Sequence, residues 1–184
     1  MIVYIHGFRS TEQAPKARTI KAYFGDAVLA ADFPQEPDRA IATLSRLIET
    51  EDIHGLIGSS LGGFYTIWLA ERYDLPAVLI NPSIRPFETT ERYLGHNTRD
   101  NGETFVWRRE DMEALRRYRV EQPRAHYMLM LKQGDSVLDY RIARDYLPKA
   151  VTVIEPGGDH TFNDIGGHLG AVERFLNGKR VDRE

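Results

Sequence analysis

The chain of 184 residues has no cysteine, which rules out disulfides, a thiol nucleophile and cysteine-ligated zinc, and nothing in it points to an oxidising compartment. A strong excess of charge is also missing. Its 24 basic and 27 acidic residues leave a formal charge of -3, so there is no electrostatic footprint for nucleic acid or an anionic membrane. No apolar run is long enough for a membrane span, and the opening Met1-Ile2-Val3-Tyr4-Ile5-His6-Gly7 lacks the basic start and apolar stretch of a signal peptide. Internal repeats and low-complexity tracts are absent too. These absences leave a cytoplasmic protein expected to act on small molecules. Its length and 42% hydrophobic content suit one sizeable core, with a single domain over residues 1–184 as the expectation.

What is present is a regular alternation. Short runs that are apolar at every position, Ile2 to Ile5, Ala27 to Ala31, Ile53 to Ile57, Ala77 to Ile80, Tyr127 to Leu131 and Val151 to Ile154, read as strands covered on both faces. Amphipathic segments fall between or after them: Ala14 to Phe24, Asp38 to Glu49, Phe64 to Arg72, Tyr140 to Tyr146 and Ile165 to Leu176. The pattern predicts an α/β fold, with about six mainly parallel strands in one doubly wound sheet. A charged tail, Lys179 to Glu184, is expected to fray. One stretch breaks the rhythm. Between Pro82 and Pro123 no strand signal occurs, and aromatics such as Phe87, Tyr93, Phe105, Trp107 and Tyr118 stand among many charges. Residues 83–123 read as a lid-like insertion, or as a segment whose aromatics simply pack onto the body. The cluster Arg116-Arg117-Tyr118-Arg119 reads as a solvated face, given Glu110, Asp111, Glu113 and Glu121 nearby.

Chemistry enters at Gly58-Ser59-Ser60-Leu61-Gly62, where the third strand gives way to a helix. A G-x-S-x-G sequence in that setting is a nucleophile elbow, a strained turn that projects a hydroxyl from the end of a sheet. Small residues two positions either side allow the close approach, which selects Ser60 over Ser59, whose corresponding neighbours are Ile57 and Leu61. A serine nucleophile needs a histidine to take its proton and a carboxylate to hold that histidine, following it in the order Ser, acid, His. Asp135 follows the fifth strand and His160 the sixth, both at the carboxyl edge where Ser60 emerges. Asp139 opens the next helix and reads as its N-cap. His54 and His126 precede strands, His96 falls in the insertion and His168 in the last helix, all poorly placed for this work. The expected oxyanion donors are the backbone N-H groups of Leu61 and Phe8, with His6 shaping the loop after the first strand.

Five ordered motifs then resemble the small bacterial YqiA-type esterases of the α/β-hydrolase superfamily. They are His6-Gly7-Phe8-Arg9-Ser10, Gly58-Ser59-Ser60-Leu61-Gly62-Gly63, Asn81-Pro82-Ser83-Ile84-Arg85-Pro86-Phe87, Gly134-Asp135-Ser136-Val137-Leu138-Asp139-Tyr140-Arg141 and Gly157-Gly158-Asp159-His160-Thr161-Phe162. The resemblance implies a compact α/β-hydrolase fold and esterase activity, with Ser60, Asp135 and His160 as the triad. Two local departures are Ser136, where an acidic residue is expected, and Asp159, where a neutral one is; a carboxylate beside His160 would favour its protonated form. The expectation is a hydrolase of carboxylic esters or thioesters that uses no metal and no cofactor. Amide cleavage or acyl transfer on the same triad and a non-catalytic interaction protein are the alternatives. A nucleotide-binding protein is disfavoured, since neither a P-loop lysine nor G-x-G-x-x-G is present.

Overall fold

Strands form where the chain is apolar without interruption. In the computed structural model, which describes residues 1–178, these are β1 (Ile2–Ile5), β2 (Val28–Ala31), β3 (Gly55–Ser59) and β4 (Ala77–Ile80) in the first half of the chain. Two more, β7 (Tyr127–Lys132) and β8 (Val151–Glu155), complete a sheet of order β2-β1-β3-β4-β7-β8. Every pairing in it is parallel, so all six carboxyl ends share one edge. Helices supply the crossovers α1 (Pro15–Phe24), α2 (Pro37–Thr50), α3 (Leu61–Tyr73) and α6 (Tyr140–Tyr146), and α7 (Leu169–Asn177) follows the last strand. α1 and α2 begin on prolines, which suit a first turn whose N-H groups have no intrahelical acceptor.

Alternation along each strand sends side chains to two cores. On β1, Val3 and Ile5 pack with Leu44 of α2 and Leu69 of α3, whereas Ile2 and Tyr4 pack with Ile20 of α1 and Val172 of α7. α3 is buried along most of its length, because it lies against the sheet on one side and beneath the insertion on the other. Among the described residues, no helix is long and apolar enough to cross a membrane.

Three details depart from the expected elements. The third strand begins at Gly55 rather than Ile53, and α3 starts at Leu61 rather than Phe64. Glycines that read as a turn are instead the contact surface between strand and helix. The last helix is not one piece: Ile165–His168 forms a 3₁₀ turn, with the pair Gly166-Gly167 in it, before α7 begins. The insertion holds strands where none was expected. It comprises α4 (Pro86–Thr89), an antiparallel hairpin of β5 (Gly95–Thr98) and β6 (Thr104–Trp107), and α5 (Arg109–Ala114). β5 reads Gly-His-Asn-Thr, which carries no strand signature, and it pairs with the short apolar run Phe105-Val106-Trp107 of β6. The tail from Lys179 to Glu184 lies outside the described residues.

Candidate active site

The chain turns sharply at Ser60, whose φ of 55° and ψ of -121° lie outside the ordinary helical and extended regions. The glycines of the motif make the turn possible. A Cβ on Gly58 would fall 2.1 Å from Thr66 Oγ1, and one on Gly62 would fall 2.2 Å from the Ile5 carbonyl oxygen. The backbone of Ser60 is gripped by the end of β4 and the turn that follows it. Its N-H donates to the Ile80 carbonyl at 3.1 Å, and its carbonyl accepts from the Ser83 N-H at 2.9 Å.

His160 comes to this hydroxyl from the loop after β8. Its Nε2 lies 2.9 Å from Ser60 Oγ, and its Nδ1 lies 2.7 Å from Asp135 Oδ2. An ionised carboxylate only accepts, so Nδ1 carries the proton and Nε2 faces the serine as an acceptor. Asp135 is fixed in turn, since its Oδ1 accepts from the N-H groups of Val137 at 2.8 Å and Leu138 at 2.9 Å. Burial acts to raise the Asp135 pKa, but the hydrogen bond from His160, those from the two amides and the histidine's charge outweigh it and hold the carboxyl below its ordinary value. The three side chains selected from the sequence are thus joined in one chain of hydrogen bonds. Ser59 is turned the other way, buried behind the elbow with its Oγ accepting from Lys16 Nζ at 2.6 Å.

The two amides expected to serve an oxyanion flank Ser60. Among the described residues, no hydrogen-bond acceptor is recorded for the N-H of Phe8 or of Leu61. Both residues line a cavity of about 360 Å³ that reaches Ser60 and His160, walled further by Pro86, Tyr93, Val137 and Leu138. The Phe8 ring is wedged among Tyr93, Phe105 and Trp107 of the insertion, at centroid distances of 5.3, 5.6 and 4.9 Å. His6 is buried and stacked on Phe33 at 4.2 Å, with Nδ1 donating to the Gly7 carbonyl at 3.0 Å. It shapes the loop. Asp139 caps α6 through the Arg141 N-H at 3.0 Å, as its position suggested.

Glu155, Asp164 and His168 form a group close enough to share a cation. That place is already served, because the Lys132 ammonium is ion-paired with both carboxylates.

The family described as an uncharacterised protein family, UPF0227, matches residues 1–177. This chain belongs to that family. A UPF0227 relative, the protein YcfP of Salmonella gallinarum, is 25% identical over 184 residues, covering 95% of this chain and 98% of the relative. Among solved structures, the mouse α/β hydrolase domain-containing protein 10 superposes with a TM-score of 0.74 at 12% identity, over 96% of this chain and 89% of the other. The esterase domain of a Rhodothermus marinus protein gives 0.69 at 20% identity, over 94% and 85%. The UPF0227 chain therefore has the α/β-hydrolase fold that the five motifs implied.

Some residues around the site in this UPF0227 protein have roles that their local sequence does not reveal. Lys16 lies behind the elbow, its pKa lowered to about 8 by burial against the opposing pull of Asp159 and Asp135. Asn81 bonds the backbone of the His160 loop. Arg9 and Arg92, far apart in sequence, both line the cavity and lie over the Tyr93 ring, at 5.9 and 5.0 Å. The Asp159 carboxylate, expected to act on His160, accepts from the Thr161 N-H at 2.9 Å and the Phe162 N-H at 3.2 Å and so caps the turn.

Proposed function

We propose that this protein is a serine hydrolase that cleaves carboxylic esters or thioesters through an acyl-Ser60 intermediate. The observation that carries the reading is the unbroken chain from Ser60 Oγ through His160 to Asp135, at 2.9 and 2.7 Å, opening on a cavity. A serine hydroxyl is a weak nucleophile unless a base takes its proton, and Nε2 of a correctly held imidazole does so. In acylation Ser60 Oγ attacks the carbonyl carbon and His160 takes the hydroxyl proton. The negative charge on the carbonyl oxygen is met by the N-H groups of Phe8 and Leu61. Collapse breaks the bond to the alcohol or thiol, which leaves with the proton returned by His160. Water then repeats the sequence on the acyl-enzyme and releases the acid and free Ser60.

Asp135 orients the imidazole and stabilises its charged form. The reaction is complete with these groups and calls for no metal or cofactor. The likeness to an esterase domain is consistent with this chemistry, and the choice between oxygen and sulfur esters resides in the cavity walls.

The test is the intact mass after brief exposure to a fluorophosphonate, beside ester turnover. Wild type is expected to gain a single adduct that Ser60→Ala does not, and Ser60→Ala is expected to lose turnover by roughly a million-fold. Equal turnover in the two proteins, or no adduct on folded wild type, overturns the assignment and favours a non-catalytic role.

A further inference from the structure

The stretch Ile80 to Ser83 holds more than the nucleophile. Asn81, directly after β4, is 2% exposed and has a φ of 40°, a left-handed conformation that asparagine and glycine tolerate best. Its own N-H donates to the Met130 carbonyl at 2.9 Å. Its side-chain amide is fully used. Nδ2 donates to the carbonyls of Asp159 and His160, each at 3.2 Å, and Oδ1 accepts from the Lys132 N-H at 3.0 Å. The orientation of the amide is fixed by chemistry: two carbonyls face one end and an N-H faces the other, so only one assignment satisfies all three.

Neighbouring residues make this position singular. Ile80 and Ser83 bond the two sides of the Ser60 peptide, so one four-residue stretch grips the nucleophile with its backbone and the histidine loop with a side chain. Among the described residues, no other side chain from outside the loop is recorded bonding the backbone of Asp159 or His160. The loop is also tied through Gly157, whose carbonyl accepts from the Gly134 N-H at 2.8 Å, through Asp164, which pairs with Lys132, through the fully buried ring of Phe162, and through the His160 ring on Asp135. Among the described residues, none of these bonds the backbone of His160, whose carbonyl is tied to the end of β4 by one amide group.

We propose that Asn81 is a positioning residue that sets the distance between His160 and Ser60, an inference resting on the assignment of His160 as the base. Proton transfer requires Nε2 within hydrogen-bond reach of the hydroxyl, and a displacement of about 1 Å at such a site costs on the order of a hundredfold. Asn81 touches no reacting atom. Its effect therefore falls on turnover and not on substrate affinity.

Two variants separate this role from simple support of the fold. Asn81→Gly keeps the left-handed backbone and deletes the amide. Asn81→Asp keeps the size and the acceptor for Lys132, but turns an ionised oxygen toward two carbonyl oxygens. The measurements are kcat and KM for 4-nitrophenyl butyrate from pH 5.5 to 8.5, the rate of fluorophosphonate labelling, and thermal melting. Asn81→Gly is expected to lose roughly 10- to 100-fold in kcat and in labelling rate, with KM within about threefold. Asn81→Asp is expected to lose at least as much at pH 8.5, and its activity relative to wild type is expected to rise as the pH falls, because a protonated carboxyl is again a donor. Should Asn81→Gly be unfolded at the assay temperature, the isosteric Asn81→Asp and its pH ratio decide the matter.

A kcat within twofold of wild type in folded Asn81→Gly overturns the proposal. So does a loss in Asn81→Asp that keeps the same ratio to wild type at every pH. Failure of the hydrolase reading looks different, since wild type itself then takes no fluorophosphonate.

Discussion

His6 and His160 belong to the same cluster of loops and meet opposite conditions. His160 has a carboxylate on one nitrogen and a hydroxyl on the other, whereas His6 has one carbonyl partner and its Nε2 is buried without any. Burial disfavours the charged ring and, against the smaller effect of the Gly7 carbonyl, brings the His6 pKa down to about 4 from 6.5. Between those two values the unfolded chain binds a proton that the native state refuses. Stability therefore falls as pH falls through that window, by on the order of 3 kcal/mol from this group. His6→Phe keeps a ring against Phe33 and removes the titration. Urea unfolding at pH 7 and pH 4.5 is expected to show a smaller acid loss in the variant than in wild type; equal losses would rule out His6 as a source of acid lability. At this scale the proposed acid, base and nucleophile were legible from chain order and from the shared edge of the sheet. Asn81 lies within one of the five motifs, yet nothing local marks its amide as a tie from the end of β4 to the last residue of β7, 51 residues away, and to the His160 loop, 78 residues away. The Asp159 carboxylate satisfies two N-H groups of its own turn, a role that its place beside His160 in the sequence does not reveal.

Elements were legible where burial alone dictates them. β1, β4 and β7 are buried at every position and apolar at nearly every one, so composition and structure coincide. The β5–β6 hairpin follows another logic. Asn97 Nδ2 bonds the carbonyls of Tyr93 at 2.7 Å and Gly95 at 3.0 Å, and Arg99 reaches across to Asp32 and Glu103, each at 2.8 Å, and to the Ser10 carbonyl at 3.2 Å. These are polar ties that no periodicity shows, local at Asn97 and Glu103 and long-range at Asp32 and Ser10. They also locate the wall of the cavity, because the hairpin carries Phe105 and Trp107 to the Phe8 ring. The Arg99 guanidinium is buried, but both carboxylate partners remain more than half exposed, so its removal leaves them free to hydrate. Arg99→Met is therefore expected to cost about 1–2 kcal/mol and not the larger penalty of a stranded buried charge. Hydrogen exchange across residues 95–107 is expected to quicken more than exchange in β1 or β4. Uniform acceleration through the whole sheet would show that Arg99 supports the fold at large rather than the hairpin.

For the molecule as a whole, the question is whether residues 83–123 fold with the sheet or as a unit apart. Phe87, Trp107, Met112 and Leu115 from this segment are buried in the same cluster as Val3, Leu44, Leu69 and Leu129 of the body. The outer face is tied as well, with Asp38 of α2 accepting from the Tyr118 hydroxyl at 2.6 Å and pairing with Arg117 at 2.5 Å. A shared apolar cluster makes each part costly to expose without the other, which is the physical basis of all-or-none unfolding. We propose that the chain unfolds as one cooperative domain with the insertion included. The two tryptophans make this measurable, since Trp68 sits on α3 and Trp107 on β6. Single-tryptophan variants made by Trp107→Phe and Trp68→Phe are each expected to give, in urea, a fluorescence transition that coincides in midpoint and slope with the far-ultraviolet circular dichroism of the same variant. A Trp107 signal that changes at lower urea than the circular dichroism would mean that the insertion detaches first. The aromatic wall around Phe8 would then open without loss of the sheet, and the segment would have the independence that a lid requires.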